Sequence, residues 1–146
     1  MVRHAGEREV ERIVHRAELK LFGCRFVELQ EELKSQEFGT ELLRLLSDRF
    51  QDPDLTVKAA ASTITLSSRK LNSICRRATS FTFRDLLVRV RLLRAIEMIA
   101  TKDFALKEVA ALTGFIAVAT LRRNLRRLTG HRPRDFRPAV KAVSQK

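Results

Sequence analysis

Residues 121–135 read "LRRNLRRLTGHRPRD", and the last ten of them echo "RRATSFTFRD" at 76–85. Five positions are identical at an offset of 50: Arg76/Arg126, Arg77/Arg127, Thr79/Thr129, Arg84/Arg134 and Asp85/Asp135. The echo extends upstream. Ala61, Thr65 and Leu66 precede the first copy, and Ala110, Gly114 and Phe115 take those places before the second, at an offset of 49. Each unit is a short alanine-rich helix, a turn and an arginine-rich helix, which together make a helix-turn-helix. The spacing predicts two such motifs in one chain.

Elsewhere apolar residues recur every three or four positions with few β-branched alternations, so the expected class is all-α. Breaks fall at Gly39, "QDPD" (51–54), "TSFT" (79–82), "TKDF" (101–104), Gly114 and "GHRP" (130–133). Thr56 and Ser67 are placed to cap the helices of the first motif. Thr82 is placed to cap a long helix over 83–101, with Asp85 where a capping-box acid would sit. Pro133 suits the first position of a last short helix. Residues 7–34 read as one helix or two, with Gly23 as the candidate break. There Leu19, Phe22, Phe26, Leu29 and Leu33 form a seam suited to packing on the same chain, to homodimerisation or to a companion protein.

A chain of 146 residues with 45% hydrophobic side chains is one domain with a real core. Its charge is +12, and the excess is lopsided. Residues 1–50 hold 9 basic and 10 acidic side chains, whereas residues 51–146 hold 20 and 7. Such a field attracts polyanions, chiefly nucleic acid. Cys24 and Cys75 lack metal-ligand spacing and sit among apolar residues, so both read as buried free thiols in a reducing compartment. Neither a signal peptide nor a run long enough to span a membrane is visible. His4, His15 and His131 are scattered, and there is no glycine-rich phosphate loop. Neither catalysis nor a metal or cofactor is expected.

On a helical wheel Leu71, Ile74, Cys75 and Ala78 share one face, with Arg69, Asn72, Ser73 and Arg76 opposite or on its flank. In the second helix Leu121, Leu125 and Leu128 share a face, with Ala119, Arg122, Arg123 and Arg126 opposite. Residues 67–79 and 117–129 each carry four cations and no acid. One stripe of each helix is therefore expected to bury and the other to meet an anion. Double-stranded DNA fits, because arginine can hold guanine bidentately and asparagine adenine, while cations and helix N-termini grip phosphates. The rival readings are a basic helix lying on an anionic membrane or an acidic partner, and a non-regulatory architectural or recombinase module.

Over about residues 38–138 the chain resembles the AraC/XylS-type transcription regulators. The resemblance is carried by "LTVKAAAS" and "LSSRKLNSICRRATSFTF", by "RVRLLRAIEMI", and most specifically by "EVAALTGF" with "LRRNLRRLTGHRPRDFR". It implies a seven-helix domain whose two reading helices enter successive major-groove segments about one turn, roughly 34 Å, apart. The parts would be a first motif at 56–79, a linker helix at 83–101 and a second motif at 106–129. An N-terminal helical segment (1–37) would precede them and a basic tail (139–146) follow. Base-contact positions carried over from the family are Arg69, Asn72, Ser73, Ala119, Thr120 and Arg123. The candidate phosphate contacts are Ser67, Lys70, Arg76, Arg122, Arg126, Arg127, His131 and Arg132.

The resemblance further implies a cytoplasmic, nucleoid-associated bacterial regulator, an activator working with RNA polymerase. Only 37 residues precede the match, too few for the family's ligand-sensing barrel, so control by abundance or by a docked partner is expected. The chain departs from the family at Thr65 and Ser80, where glycine is common. A capping serine or similar residue is usual where this chain has Ile116, and another near Ala105. The apolar "IAVA" (116–119) predicts that the first motif carries more specificity, while Arg122, Arg123 and Arg126 supply affinity.

Overall fold

The computed structural model describes residues 2–101 and 103–138. The proposed basic tail at 139–146 lies outside the described residues. Helices α1 (Val2–Phe22), α2 (Phe26–Lys34) and α3 (Gly39–Arg49) precede the repeated region. The first motif is α4 (Val57–Thr63) and α5 (Ser68–Thr79), and the linker is α6 (Phe83–Thr101). The second motif is α7 (Leu106–Leu112) and α8 (Val118–Thr129), closed by a 3-10 turn at Pro133–Phe136. No strand occurs among the described residues, and the all-α expectation holds.

Helix α6 is the axis of the molecule. Phe83, Leu86, Val90, Leu92, Ile96 and Ile99 are buried around most of its circumference, while Arg84 and Glu97 stay exposed. It packs against α1, α5, α7, α8 and the closing turn, so both motifs hang from one rod. The N-terminal residues are part of this assembly. Gly23, at φ +75°, breaks the predicted seam into α1 and α2. Helix α1 lies on α6, α8 and the closing turn, and α2 lies on α3 and α5. Phe22, Leu29 and Leu33 are buried in the chain's own core, Phe26 packs on it in part, and Leu19 stays exposed. The seam thus closes on the same chain.

Local chemistry explains the boundaries. Thr56 Oγ1 accepts from the Ala59 N–H, Ser67 Oγ from Lys70 and Thr82 Oγ1 from Asp85, as the sequence predicts. Asp85 itself turns to Arg89, whose Nε lies 3.0 Å from its Oδ1. Gly39 is needed for space: a Cβ there would sit 1.7 Å from the Leu33 carbonyl oxygen. Cys75 is fully buried, and burial pushes its thiol up to about 12. Cys24 differs from expectation. It lies just past the α1 break and is only half-buried.

Among the described residues Arg91 is the charged side chain that enters the core. Its Nε donates to the Phe50 carbonyl at 2.7 Å and its Nη2 to the Asp52 carbonyl at 2.6 Å. Burial lowers its pKa, and the nearby Asp52 carboxylate opposes that shift. The guanidinium keeps its charge because these carbonyls replace water around it. It also touches the second motif, since a Cβ on Gly114 would lie 2.7 Å from Arg91 Nε. One side chain on the linker thus abuts both the approach to the first motif and the turn of the second.

Candidate nucleic-acid interface

The two arginine-rich helices present the faces that the wheels predict. On α5, Leu71, Ile74 and Cys75 are buried, while Arg69, Lys70, Ser73, Arg76 and Arg77 are exposed. On α8, Leu121 and Leu125 are fully buried, while Ala119, Arg122, Arg123, Arg126 and Arg127 are exposed. The leucine stripe that a membrane-surface helix would insert is therefore mostly covered, Leu128 being half-buried against the core. What remains outward on both helices is mostly cationic, with Ser73 on α5 and Ala119 on α8 among the arginines.

Several predicted residues have prior engagements. Asn72 is half-buried, and its Oδ1 accepts the Phe83 N–H at 2.9 Å, which ties the middle of α5 to the start of α6. Thr120, half-buried, lies with Arg123, Asn124 and Arg127 in the wall of a cleft of about 710 Å³ between the motifs. Arg84 and Arg91 line the same cleft from α6. His131 Nδ1 lies 3.3 Å from Asp135 Oδ2, and the ring meets Phe136 edge-on. The Arg132 N–H and then His131 hold the Asp135 carboxyl below its ordinary value. His131 thus belongs first to the turn that ends α8. Ser67 is occupied with its cap, although its side chain is at the exposed start of α5.

Sequence reasoning missed Arg84, Arg134 and Arg137 as candidate cations. Arg84 and Arg134 were visible as identities in the repeated phrase, but they fall outside the reading helices on which the wheels concentrated. Arg137 reaches back 33 residues to the Phe104 carbonyl at 2.9 Å, a pairing no local pattern announces.

The departures from the family pattern have backbone consequences. Thr65 and Ser80, where glycine is common, adopt φ of +59° and +71°. Ile116 has φ +66°. The cap of α8 falls one residue after the position expected, at Ala117, and the cap of α7 is Ala105; neither side chain can accept a hydrogen bond.

These paired cationic helices on a common rod define a double helix-turn-helix, the architecture of a DNA-binding protein. Residues 60–139 match the family model described as "Helix-turn-helix domain". The chain belongs to this family, in its AraC-type form, whose members are DNA-binding transcription regulators rather than enzymes. Solved structures agree. The DNA-binding domain of AdpA, a global transcriptional factor solved with a target DNA, shares 25% identity at a TM-score of 0.64. That match covers 73% of this chain and 96% of the other. A DNA-binding transcriptional dual regulator from Escherichia coli K-12 shows 21% identity and a TM-score of 0.60, over 73% and 92% of the two chains. The C-terminal domain of AraT, a response regulator from Geobacillus stearothermophilus, shows 19% identity and a TM-score of 0.64, over 67% and 81%. No curated protein sequence matches the chain.

Proposed function

We propose that this protein is a sequence-specific regulator of transcription that inserts α5 and α8 into successive major grooves of one duplex. The observation that carries this reading is the pairing of two helices whose outward faces are cationic and acid-free, each sealed by a buried apolar stripe on a shared rod. Arg69 and Ser73 on α5, and Ala119, Thr120 and Arg123 on α8, are the base-reading positions. Ser67, Lys70, Arg76, Arg122, Arg126, Arg127, His131 and Arg132 serve the phosphates. Asn72 enters with its carbonyl committed to Phe83. Bidentate reading of adenine needs that acceptor as well as the amide donor, so Asn72 acts chiefly by positioning α5 against α6 while that bond is made.

Arginine on the first head and alanine on the second imply a division of labour. Arg69 can read guanine by two hydrogen bonds, whereas Ala119 offers only a methyl to thymine. The first motif then carries most of the specificity. Its partners would be double-stranded DNA and RNA polymerase, in the cytoplasm, with activation as the output. The described residues include no helix long and apolar enough to cross a membrane.

Selection of bound duplexes from a random pool near physiological salt tests this reading. Two enriched segments about ten base pairs apart are expected, the more degenerate one under α8. Binding with no enrichment would refute sequence-specific regulation. Activation is tested separately by a reporter downstream of the selected site.

A further inference from the structure

One flank of the reading helix differs chemically between the two motifs. In the first, Asn72 Oδ1 accepts the Phe83 N–H and closes that flank onto α6. At the offset of 50, Arg122 stands in the place of Asn72 and Pro133 in the place of Phe83. The acceptor has become a donor-only guanidinium, and the donor has become a nitrogen without hydrogen. The bond cannot form in the second motif. There the flank holds a cavity of about 580 Å³. Arg122 and Arg126 of α8, with Arg132, Arg134 and Arg137 around the closing turn, place five guanidinium side chains on its lining. Leu106 and Pro133 join that lining, and among the described residues no acid does.

Guanidinium groups gathered in this way repel one another, and Asp135, beside Arg132, offsets only part of that charge. Arg137 adds a second, independent sign. Its Nη2 donates to Phe104, but its Nη1 is buried without a hydrogen-bond partner among the described residues. A donor left so would be satisfied by an oxyanion within reach. We propose that this cavity binds a phosphate-bearing polyanion, held by Arg122, Arg126, Arg132 and Arg137 through charge-assisted, fork-like hydrogen bonds. Its volume lies in the range that takes whole small ligands, on the order of 300–1,000 Å³, which leaves room for more than a single phosphate group. Those groups come either from consecutive phosphates of a DNA strand or from a free polyphosphorylated small molecule. For the DNA source the inference rests on the phosphate roles proposed above for Arg122, Arg126 and Arg132 and adds Arg137; the free polyphosphorylated ligand goes beyond that reading.

The test is calorimetric titration of the whole chain with inorganic pyrophosphate at fixed ionic strength. It compares the wild type with an Arg122→Gln/Arg132→Gln double variant and with Arg123→Gln, which alters the other cleft. Both side chains of the double variant are exposed, and an unchanged melting curve verifies that it folds. One saturable site is expected in the wild type, weakened about tenfold or more in the double variant and retained in Arg123→Gln. Absence of a saturable site, or equal weakening in both variants, overturns the proposal. An Arg122→Lys/Arg132→Lys pair should bind at intermediate strength, since charge remains and the fork is lost; wild-type strength would overturn the forked geometry.

Duplex binding then separates the two sources. Competition by pyrophosphate, with a salt slope shallower by about 0.9 for each lost phosphate contact, assigns the cavity to the DNA backbone. Simultaneous binding with an unchanged slope assigns it to a free ligand. Pyrophosphate binding without duplex binding refutes the DNA-reading proposal and leaves the cavity standing; duplex binding without pyrophosphate binding refutes the cavity alone.

Discussion

The two helix-turn-helix motifs share a plan and differ in what holds their backbones. Both helices of the first begin on a hydroxyl, Thr56 for α4 and Ser67 for α5, and Asn72 fastens α5 to the linker. The helices of the second begin at Ala105 and Ala117. Glu108 reaches back to the Ala105 N–H at 3.2 Å, a partial substitute. Ile116, β-branched and at φ +66°, adds strain of about 1–2 kcal/mol just before α8. The second head is held instead by its neighbours. Helix α1 packs along α8, and Lys20 Nζ donates to the Thr129 carbonyl at its C-terminus, 3.1 Å away. The first head is specified locally and the second by tertiary packing. Where the first motif has capping hydroxyls the second has alanines, while both reading helices carry four cations.

The sharpest way to break this comparison lies in the two turns. Gly114 has φ +84°, and an added Cβ would meet Arg91 Nε at 2.7 Å and the Phe50 carbonyl oxygen at 2.8 Å. Gly114→Ala should therefore cost about 3 kcal/mol, from left-handed strain together with overpacking. At the matching turn of the first motif Thr65 already tolerates φ +59°. Thr65→Gly exchanges relief of that strain for greater chain entropy in the unfolded state, and should change stability by less than about 1 kcal/mol. Urea unfolding of both variants checks this. A small loss in Gly114→Ala would show that the Arg91 contact does not fix the second turn.

Next in size is the flank bond. Asn72→Ala strands the half-buried Phe83 N–H and should cost about 2 kcal/mol, whereas Arg122→Ala, on an exposed side chain, should leave stability within about 0.5 kcal/mol. Equal losses would mean that the flanks are equivalent after all. On DNA, Arg69→Ala should relax discrimination at one base pair by about 1–3 kcal/mol. Arg123→Ala should relax discrimination less than Arg69→Ala does and weaken all sequences more evenly. Competition assays against single-base variants of the selected site measure both, and a reversed pattern would give the specificity to the second head.

Much of this was legible in the sequence because the signals are local. Thr56, Ser67, Thr82, Pro133 and Gly130 each act within a few residues of their own position, and the leucine and arginine stripes follow helical spacing. What escaped has long sequence separation. No periodicity announces that Arg91 on the linker will seek the carbonyls of Phe50 and Asp52, or that Arg137 will reach Phe104. The N-terminal seam was visible as a stripe, but Gly23 turns the chain and divides it between two surfaces. For Asn72 a wheel records direction only. Its bond to Phe83 depends on where the next helix starts.

The finest test concerns the missing oxygen at the start of α8. Ala117 has φ −98° and ψ 137°, close to the −78° and 156° of Ser67, so a serine there would have the backbone of a working cap. Ala117→Ser should then stabilise the protein by about 1 kcal/mol, and Ser67→Ala should destabilise it by about as much. Unfolding midpoints at unchanged denaturant slope measure the two together. A gain in the first and a loss in the second would make the capping oxygen the local difference between the heads. If Ser67→Ala costs its increment but Ala117→Ser gains nothing, the start of α8 is limited by the left-handed Ile116, and Ile116→Gly should then stabilise the protein where the serine could not.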